Sequence, residues 1–271
     1  AMGEDVTVAE DYGMGLGTDL TVTGGAGFAA GSNNLCDGNY CHAVGFTANA
    51  DGLAAIALGW AVTADADHSV AIGRRASTNG RTGAFVFGDA STTTDSIQAG
   101  TDNGFAVRAA GGFRFRSNAT LTNGCNIAAG GASITCASSR TLKDHFVEVD
   151  GEDVLSRMRL VPVHTWDYVE EVGRPRHLGP FSEDFNRAFQ LGNDSLAIGH
   201  LDIDGVNFAA IKALDTRTDA LRGTDELLTG AVAALGAEND ALRAANEALA
   251  TSLRELLARM ERMEAQPVPV A

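Results

Sequence analysis

Through the first third of the chain, small or apolar pairs recur at a fixed interval: Gly15-Leu16, Ala29-Ala30, Ala43-Val44, Ala57-Leu58, Ala71-Ile72 and Val86-Phe87. Each precedes a glycine. Gly17, Gly31, Gly45, Gly59 and Gly73 are spaced by 14, and Gly88 follows at 15. A second set falls seven residues later, at Gly24, Gly38, Gly52 and Gly80, with Ala66 where the fourth would be. Polar turn formers such as Asn49-Ala50-Asp51-Gly52 and Thr78-Asn79-Gly80 lie between. The period predicts a coil of about 14 residues with two short strands and two turns. Glycine supplies the positive φ of the turns, and the apolar pair of each strand is expected to point into a shared interior. One coil cannot bury its own face, so neighbours must stack. Six consecutive units in register argue against a flexible glycine-rich linker.

Beyond residue 100 the period is lost. Phe105-Ala106-Val107-Arg108 and Phe113-Arg114-Phe115-Arg116 alternate apolar and basic positions, as half-buried strands do, with Gly111-Gly112 as a turn between them. Their arginines read as solvated strand faces or interchain ion pairs. At the other end, Leu214, Leu221, Leu228, Leu235, Leu242, Leu249, Leu256 and Met263 recur every seven residues. Ile211, Thr218, Asp225, Val232, Asn239, Asn246, Leu253 and Met260 stand three positions before each, completing an a/d seam over eight heptads. Polar residues at four of the eight a positions weaken this seam but fix register and strand number. Gly223, Gly230 and Gly236 cost roughly 1 kcal/mol each relative to Ala, making the first half looser. Pro267 and Pro269 end the pattern.

Composition sharpens this division. Of 32 glycines, 23 fall in residues 1–137 and 9 afterwards, so the chain changes character near its middle. With 20 basic and 35 acidic side chains the formal charge is −15, which leaves no basic stripe for nucleic acid or for an anionic membrane surface. No run approaches the eighteen apolar residues of a membrane span. Ala1-Met2 reads as a cloning remnant, with any native export signal outside the sequence.

Cysteine and lysine carry the candidate chemistry. Cys36/Cys41 and Cys125/Cys136 are sequence-local pairs whose spacings of five and eleven could close small loops or a hairpin, which suggests two disulfides and an oxidising compartment. The alternative, a four-cysteine zinc site, would join segments nearly ninety residues apart without the internal spacing of a zinc knuckle. Only Lys143 and Lys212 among the 20 basic residues are lysines. Lys143 stands five positions after Ser138 in Ser138-Ser139-Arg140-Thr141-Leu142-Lys143. A lysine made neutral by burial can take a serine proton, which an arginine cannot.

Two resemblances follow from these motifs. The stretch His68-Ser69-Val70-Ala71-Ile72-Gly73-Arg74-Arg75-Ala76-Ser77-Thr78-Asn79-Gly80 resembles the head repeats of YadA-like trimeric adhesins, over about residues 13–92. That resemblance implies a left-handed parallel β-roll, three of which pack around one axis. The segments Ser138 to Phe146, Leu160 to Tyr168, Arg176-His177-Leu178-Gly179-Pro180 and His200 to Val206 resemble, in the same order, the intramolecular chaperone domain of endosialidases and bacteriophage tail fibres, over about residues 138–265. In that family the domain trimerises, assists folding of the β-rich stalk ahead of it, and releases itself by cutting the peptide bond before the motif serine. The resemblance implies a cut between Ala137 and Ser138, with Ser138 as nucleophile, Lys143 as general base, His145 positioning the dyad or transferring a proton, and Asp202 orienting it. One departure is Ser182-Glu183 where the family commonly carries Ala-Gln; an anionic Glu183 would not stabilise a developing oxyanion.

The expectation is therefore a fibrous homotrimer: a lead-in at 1–12, a β-roll head at 13–100, a β-rich neck at 101–137, a mixed α/β chaperone and self-cleaving domain at 138–206, a trimeric coiled coil at 207–265 and a tail at 266–271. No cofactor or metal is expected, and no nucleic-acid partner or membrane insertion within this segment. The expected location is extracellular, on a cell surface or a virion fibre. The alternative is a non-cleaving adhesin or fibre tip that binds a cell-surface glycan and keeps the chaperone domain as a cap. Trp60, Tyr40 and Phe46 read as packing residues and not as a sugar platform.

Overall fold

The computed structural model describes residues 1–264, so Pro267, Pro269 and the 266–271 tail lie outside the described residues. The chain divides into two compact units, residues 1–145 and a second beginning at Phe146.

The first unit is a parallel β-solenoid of about six turns. Its strands are β1 (Met2–Val8), β2 (Met14–Val22), β3 (Phe28–Cys36), β4 (His42–Ala50), β5 (Ile56–Ala64), β6 (Val70–Arg74), β7 (Ala76–Ser77), β8 (Phe85–Gly88), β9 (Ile97–Gln98) and β10 (Phe105–Arg108). The main ladder runs β1-β2-β3-β4-β5-β6-β8-β10, and β7 pairs with β5 and β9. Register follows the glycine period: Gly3, Gly17, Gly31, Gly45, Gly59, Gly73 and Gly88 are stacked partners. The ladder thus starts at β1, ahead of the residue-13 boundary, and extends through β10, past residue 100. Phe105–Arg108 pairs in parallel with Phe85–Gly88, so it belongs to the solenoid and not with Phe113–Arg116.

Each nine-residue strand bends at its central glycine. Gly45 has φ +134°, and a Cβ there would lie 1.8 Å from the Gly59 carbonyl oxygen of the next coil. The second glycine set serves a different purpose. A Cβ at Gly38 would lie 1.9 Å from the Gly52 oxygen, yet the backbone there is not left-handed. The left-handed corner residues are mostly other types: Asp19, Asn33, Thr47, Ala61 and Arg75 in one column, Ala26, Tyr40, Ala54 and His68 in the other.

The apolar pairs require a correction. Only the first member of each pair points inward: Ala29, Ala43, Ala57, Ala71 and Val86 are fully buried, with Leu20, Val22, Val62 and Ala64 of the second arm completing the core. Successive strand side chains face opposite sides, so the second members cannot share that interior. Leu16, Ala30, Val44, Leu58, Ile72, Phe87 and Val107 form one outward column, beside a second made by Met14, Phe28, His42, Ile56, Val70, Phe85 and Phe105.

Polar side chains tie the coils at the turns. The Gly25 amide donates to Asn39 Oδ1 and the Leu53 amide to Asp67 Oδ1, both at 2.9 Å and fourteen residues apart. Partial burial, then the carboxylates of Asp37 and Asp65, push the Asp51 carboxyl above its ordinary value. At the last coil, Arg108 Nε donates to Asp89 Oδ1, while its other nitrogens donate to the Arg74, Asp89 and Asp95 carbonyls, all at 2.9 Å. Asp89 also accepts from the Ser91 hydroxyl at 2.6 Å and the Ala110 amide at 2.5 Å. These bonds, led by Ser91, hold its carboxyl well below the usual carboxylate range.

The remainder of the first unit is a three-stranded antiparallel sheet, β11 (Phe113–Arg116), β12 (Gly124–Ile127) and β13 (Ile134–Cys136), followed by a 3-10 turn at Arg140–Leu142. The second unit holds α1 (Gly151–Met158), the hairpin of β14 (His164–Trp166) with β15 (His177–Gly179), α2 (Ser182–Phe189) and one continuous helix, α3 (His200–Glu264). Asp150 caps α1 by accepting the Glu152 amide. Val154, Leu155, Phe185, Val206, Ala210 and Ala213 form a small core among the three helices. From Leu214 onward the described seam residues are exposed, Leu214 by 50% and Met263 by 73%. No described helix is long and apolar enough to cross a membrane.

Gly45→Ala combines a strained φ with a backbone collision, so a loss of about 4 kcal/mol or more is expected. Gly80→Ala, with φ +69° and nothing within 4 Å of the added carbon, is expected to cost only about 1–2 kcal/mol. Thermal unfolding followed by circular dichroism separates the two. The Asp89 network makes a pH prediction. The native carboxyl keeps its charge to lower pH than in the unfolded chain, so its contribution is complete above about pH 5 and shrinks as pH falls through the acid range. Protection of the Ala110 amide from hydrogen exchange is expected to fall on acidification in the wild type, and to be low and pH-independent in Asp89→Ala.

Candidate functional site

The junction between the glycine-rich half and the rest is built from exposed chain. From Ala128 to Asp150 every residue is exposed, so hydrogen bonds and a disulfide, not packing, set its conformation. On the upstream side, β13 pairs only with β12, with Ile127 opposite Ile134, Asn126 opposite Thr135 and Cys125 opposite Cys136. The Ala137 amide extends this ladder by donating to the Gly124 carbonyl at 2.9 Å. Ala137 also lines a cleft of about 160 Å³ with Arg116, Gly124, Asn126 and Thr135. Arg116 reaches Asn126 Oδ1 at 2.7 Å, and its Nε is buried without a partner.

On the downstream side, Ser139 caps the 3-10 turn by accepting the Thr141 amide. The Lys143 amide closes the turn on the Arg140 carbonyl. This turn folds Lys143 back over Ser138, and Nζ donates to Ser138 Oγ at 2.7 Å. The two residues expected to react are therefore in hydrogen-bond contact, at the geometry required of a nucleophile and its base. As an ammonium, Lys143 donates to the hydroxyl; once it has lost a proton, the same nitrogen can accept the serine proton. Burial, the usual way to favour the neutral amine, is not supplied by the chain itself, because both residues are exposed.

His145 lies two residues beyond Lys143, at the end of the first unit. His145 adopts a left-handed backbone (φ +54°), its side chain is 94% exposed, and its Nδ1 lies 3.8 Å from Asp144 Oδ2. Asp202 is in the first turn of α3, where a carboxylate suits the positive end of a helix dipole, and belongs to the second unit. Glu183, also in the second unit, lies in the first turn of α2 and accepts a hydrogen bond from the Ser182 hydroxyl at 3.2 Å. Lys212, the other lysine, sits in α3, where its carbonyl accepts from the Thr216 hydroxyl.

Both cysteine pairs are disulfides: Cys36–Cys41 inside the solenoid core, with Cα atoms 5.6 Å apart, and Cys125–Cys136 across β12 and β13 at 4.0 Å. Among the described residues no group of three or more His, Cys, Asp or Glu is arranged to hold a metal ion. On the solenoid surface Phe46 and Trp60 stack at 6.3 Å, and the Arg74 guanidinium lies 4.4 Å above the Trp60 ring, so these aromatics engage one another. Tyr40, 62% exposed, stands apart from that stack at a left-handed corner.

No protein-family model, curated protein or solved structure matches the chain.

Proposed function

We propose that this chain is the C-terminal part of a trimeric fibre, of a bacterial surface or a phage-like particle. In this reading the second unit brings three chains together, assists folding of the β-rich part, and is then released by a single cut between Ala137 and Ser138. The observation that carries the release step is the 2.7 Å contact from Lys143 Nζ to Ser138 Oγ, directly after a sheet-held Ala137. Ser138 is the nucleophile and Lys143 its base, acting once on their own chain.

Exposed apolar surface supports the assembly step. A lone 65-residue helix carrying a leucine or methionine at every seventh position leaves that seam in water. Burying each such side chain is worth roughly 1.5–3 kcal/mol, which favours a coiled coil of several chains. The two outward columns of the solenoid present a second, mostly apolar face, interrupted at His42, of the kind that other copies can cover. Early association through the helices raises the local concentration of three β-rich segments whose non-local pairing is slow and exposed to aggregation.

Freshly purified wild-type protein is expected to show two masses, for residues 1–137 and 138–271, while Ser138→Ala and Lys143→Ala remain full length. Identical full-length masses in all three would mean that no self-cleavage occurs. For assembly, truncation after Thr218 keeps the small helical core but removes most of the seam. Light scattering is expected to find the intact chain trimeric and most soluble trimer lost on truncation. Undiminished recovery of trimeric solenoid from the truncated chain would refute the chaperone role.

A further inference from the structure

The peptide bond proposed for cleavage begins one residue after Cys136, and Cys136 is covalently tied to Cys125 across the last full rung of the β12–β13 ladder. We propose that this disulfide positions the Ala137–Ser138 bond for self-cleavage, so that the cut follows oxidation of the two thiols. The proposal rests on the self-release reading above.

The two sides of the bond are held differently. Ser138 is held by Lys143 through a local 3-10 turn that does not involve the sheet. Ala137 is held by its amide bond to the Gly124 carbonyl and through β13, an edge strand of three residues, all exposed and paired on one side. Such a strand frays unless something closes it, and no buried side chain is present from Ala128 to Asp150 to do so. The Cys125–Cys136 bridge is the one covalent closure. It lies at the open end of the hairpin, next to the rung where the Ala137 amide meets the Gly124 carbonyl. Attack by a serine on the carbonyl of its own preceding residue passes through a five-membered ring, so the torsions of Ala137 and Ser138 decide whether the oxygen reaches the carbonyl carbon. Holding both residues by separate restraints fixes those torsions, and small misplacements at a reacting centre cost orders of magnitude in rate.

The chemistry balances as follows. The thiols of Cys125 and Cys136 lose two electrons and two protons to a small-molecule disulfide such as oxidised glutathione, which becomes two thiols. In the cut, Ser138 Oγ forms a bond to the Ala137 carbonyl carbon as the Ala137–Ser138 C–N bond breaks. The hydroxyl proton passes by way of Lys143 to the freed amine of Ser138. Water then hydrolyses the ester, giving an Ala137 carboxylate, a released proton and the restored Ser138 hydroxyl.

The experiment follows intact mass over time on the full chain, in a Cys36→Ser/Cys41→Ser background that retains only the junction pair. Protein purified with its thiols reduced is expected to stay largely uncut, and oxidised glutathione to accelerate cutting by about tenfold or more. Adding Cys125→Ser/Cys136→Ser is expected to abolish that response, whereas the background alone matches the wild type. Equal rates before and after oxidation, or an unchanged rate without Cys125 and Cys136, overturn the positioning role while leaving self-release intact. A wild type that never cuts under either condition overturns both. Because oxidation acts on one already folded protein, its effect decides the matter even if the serine variant folds poorly.

Discussion

At the main glycine column the backbone of one coil lies against the carbonyl oxygens of the next. A Cβ at Gly17, Gly31, Gly45 or Gly59 would sit between 1.8 and 2.0 Å from the oxygen of the adjoining glycine. That approach locks the register of the whole ladder, since a slip of one residue would bring a side chain into the contact. Register in turn decides which side chains face inward. Alternation along each strand then sends Ala43, Ala57 and Ala71 into an interior of small residues, and Val44, Leu58 and Ile72 outward. The outward apolar columns are thus a consequence of close coil stacking. The solenoid interior holds mostly alanine and valine, with Leu20 the largest apolar side chain inside, and Leu16, Phe85 and Phe87 are left on its surface.

The long helix faces the same difficulty in another form. Its first three turns pack on α1 and α2 through Val206, Ala210 and Ala213, and the Arg217–Glu152 ion pair marks the end of that packing. Among the described residues past it, the seam side chains from Leu221 to Met263 are exposed, and leucines replace the alanines that pack on the short helices. Small residues suit close approach to short helices; leucines at a d positions suit a partner of equal length. Both units thus keep large apolar side chains outside as well as in their cores, where Leu20 is buried in the first and Leu155 and Phe185 in the second. In the proposed trimer, association with other copies covers both surfaces at once.

How much of this was readable from the residues depends on how local each cause is. The 14-residue period is legible because steric exclusion acts at every coil, and Gly3, 14 residues before Gly17, carries the same signal ahead of residue 13, where the structure has the strand Met2–Val8. The outward half of each apolar pair departs from expectation because adjacent strand residues face opposite sides, so two neighbours cannot share one face. The pairing of Phe105–Arg108 with Phe85–Gly88 was hidden by a twenty-residue excursion that breaks the period. The cysteine pairs and the Ser138–Lys143 contact span only five to eleven residues, and short spans leave little room for any other arrangement. His145 has a left-handed backbone and an exposed ring two residues after Lys143, which no pattern in the residues signals. Asp202 and Glu183 sit at helix N-termini, where a carboxylate has a structural reason to be that sequence alone does not separate from a catalytic one.

The exposure of Ser138 and Lys143 bears directly on the self-release reading. A dyad that was buried and complete within one chain could cut as soon as that chain was made, before its β-rich part had found partners. Here the contact between hydroxyl and amine is formed, whereas the dehydration that turns a lysine into a base is missing. Surfaces that cover this segment can come from the same association that covers the apolar columns and the leucine seam. The scarcity of lysine fits that order of events. In a chain that otherwise selects arginine, the proposed release step uses at Lys143 a side chain that can give up its charge, which an arginine there could not do. Arginine would hold its charge through assembly, so with Arg at that position the fibre could form but the dyad would have no base.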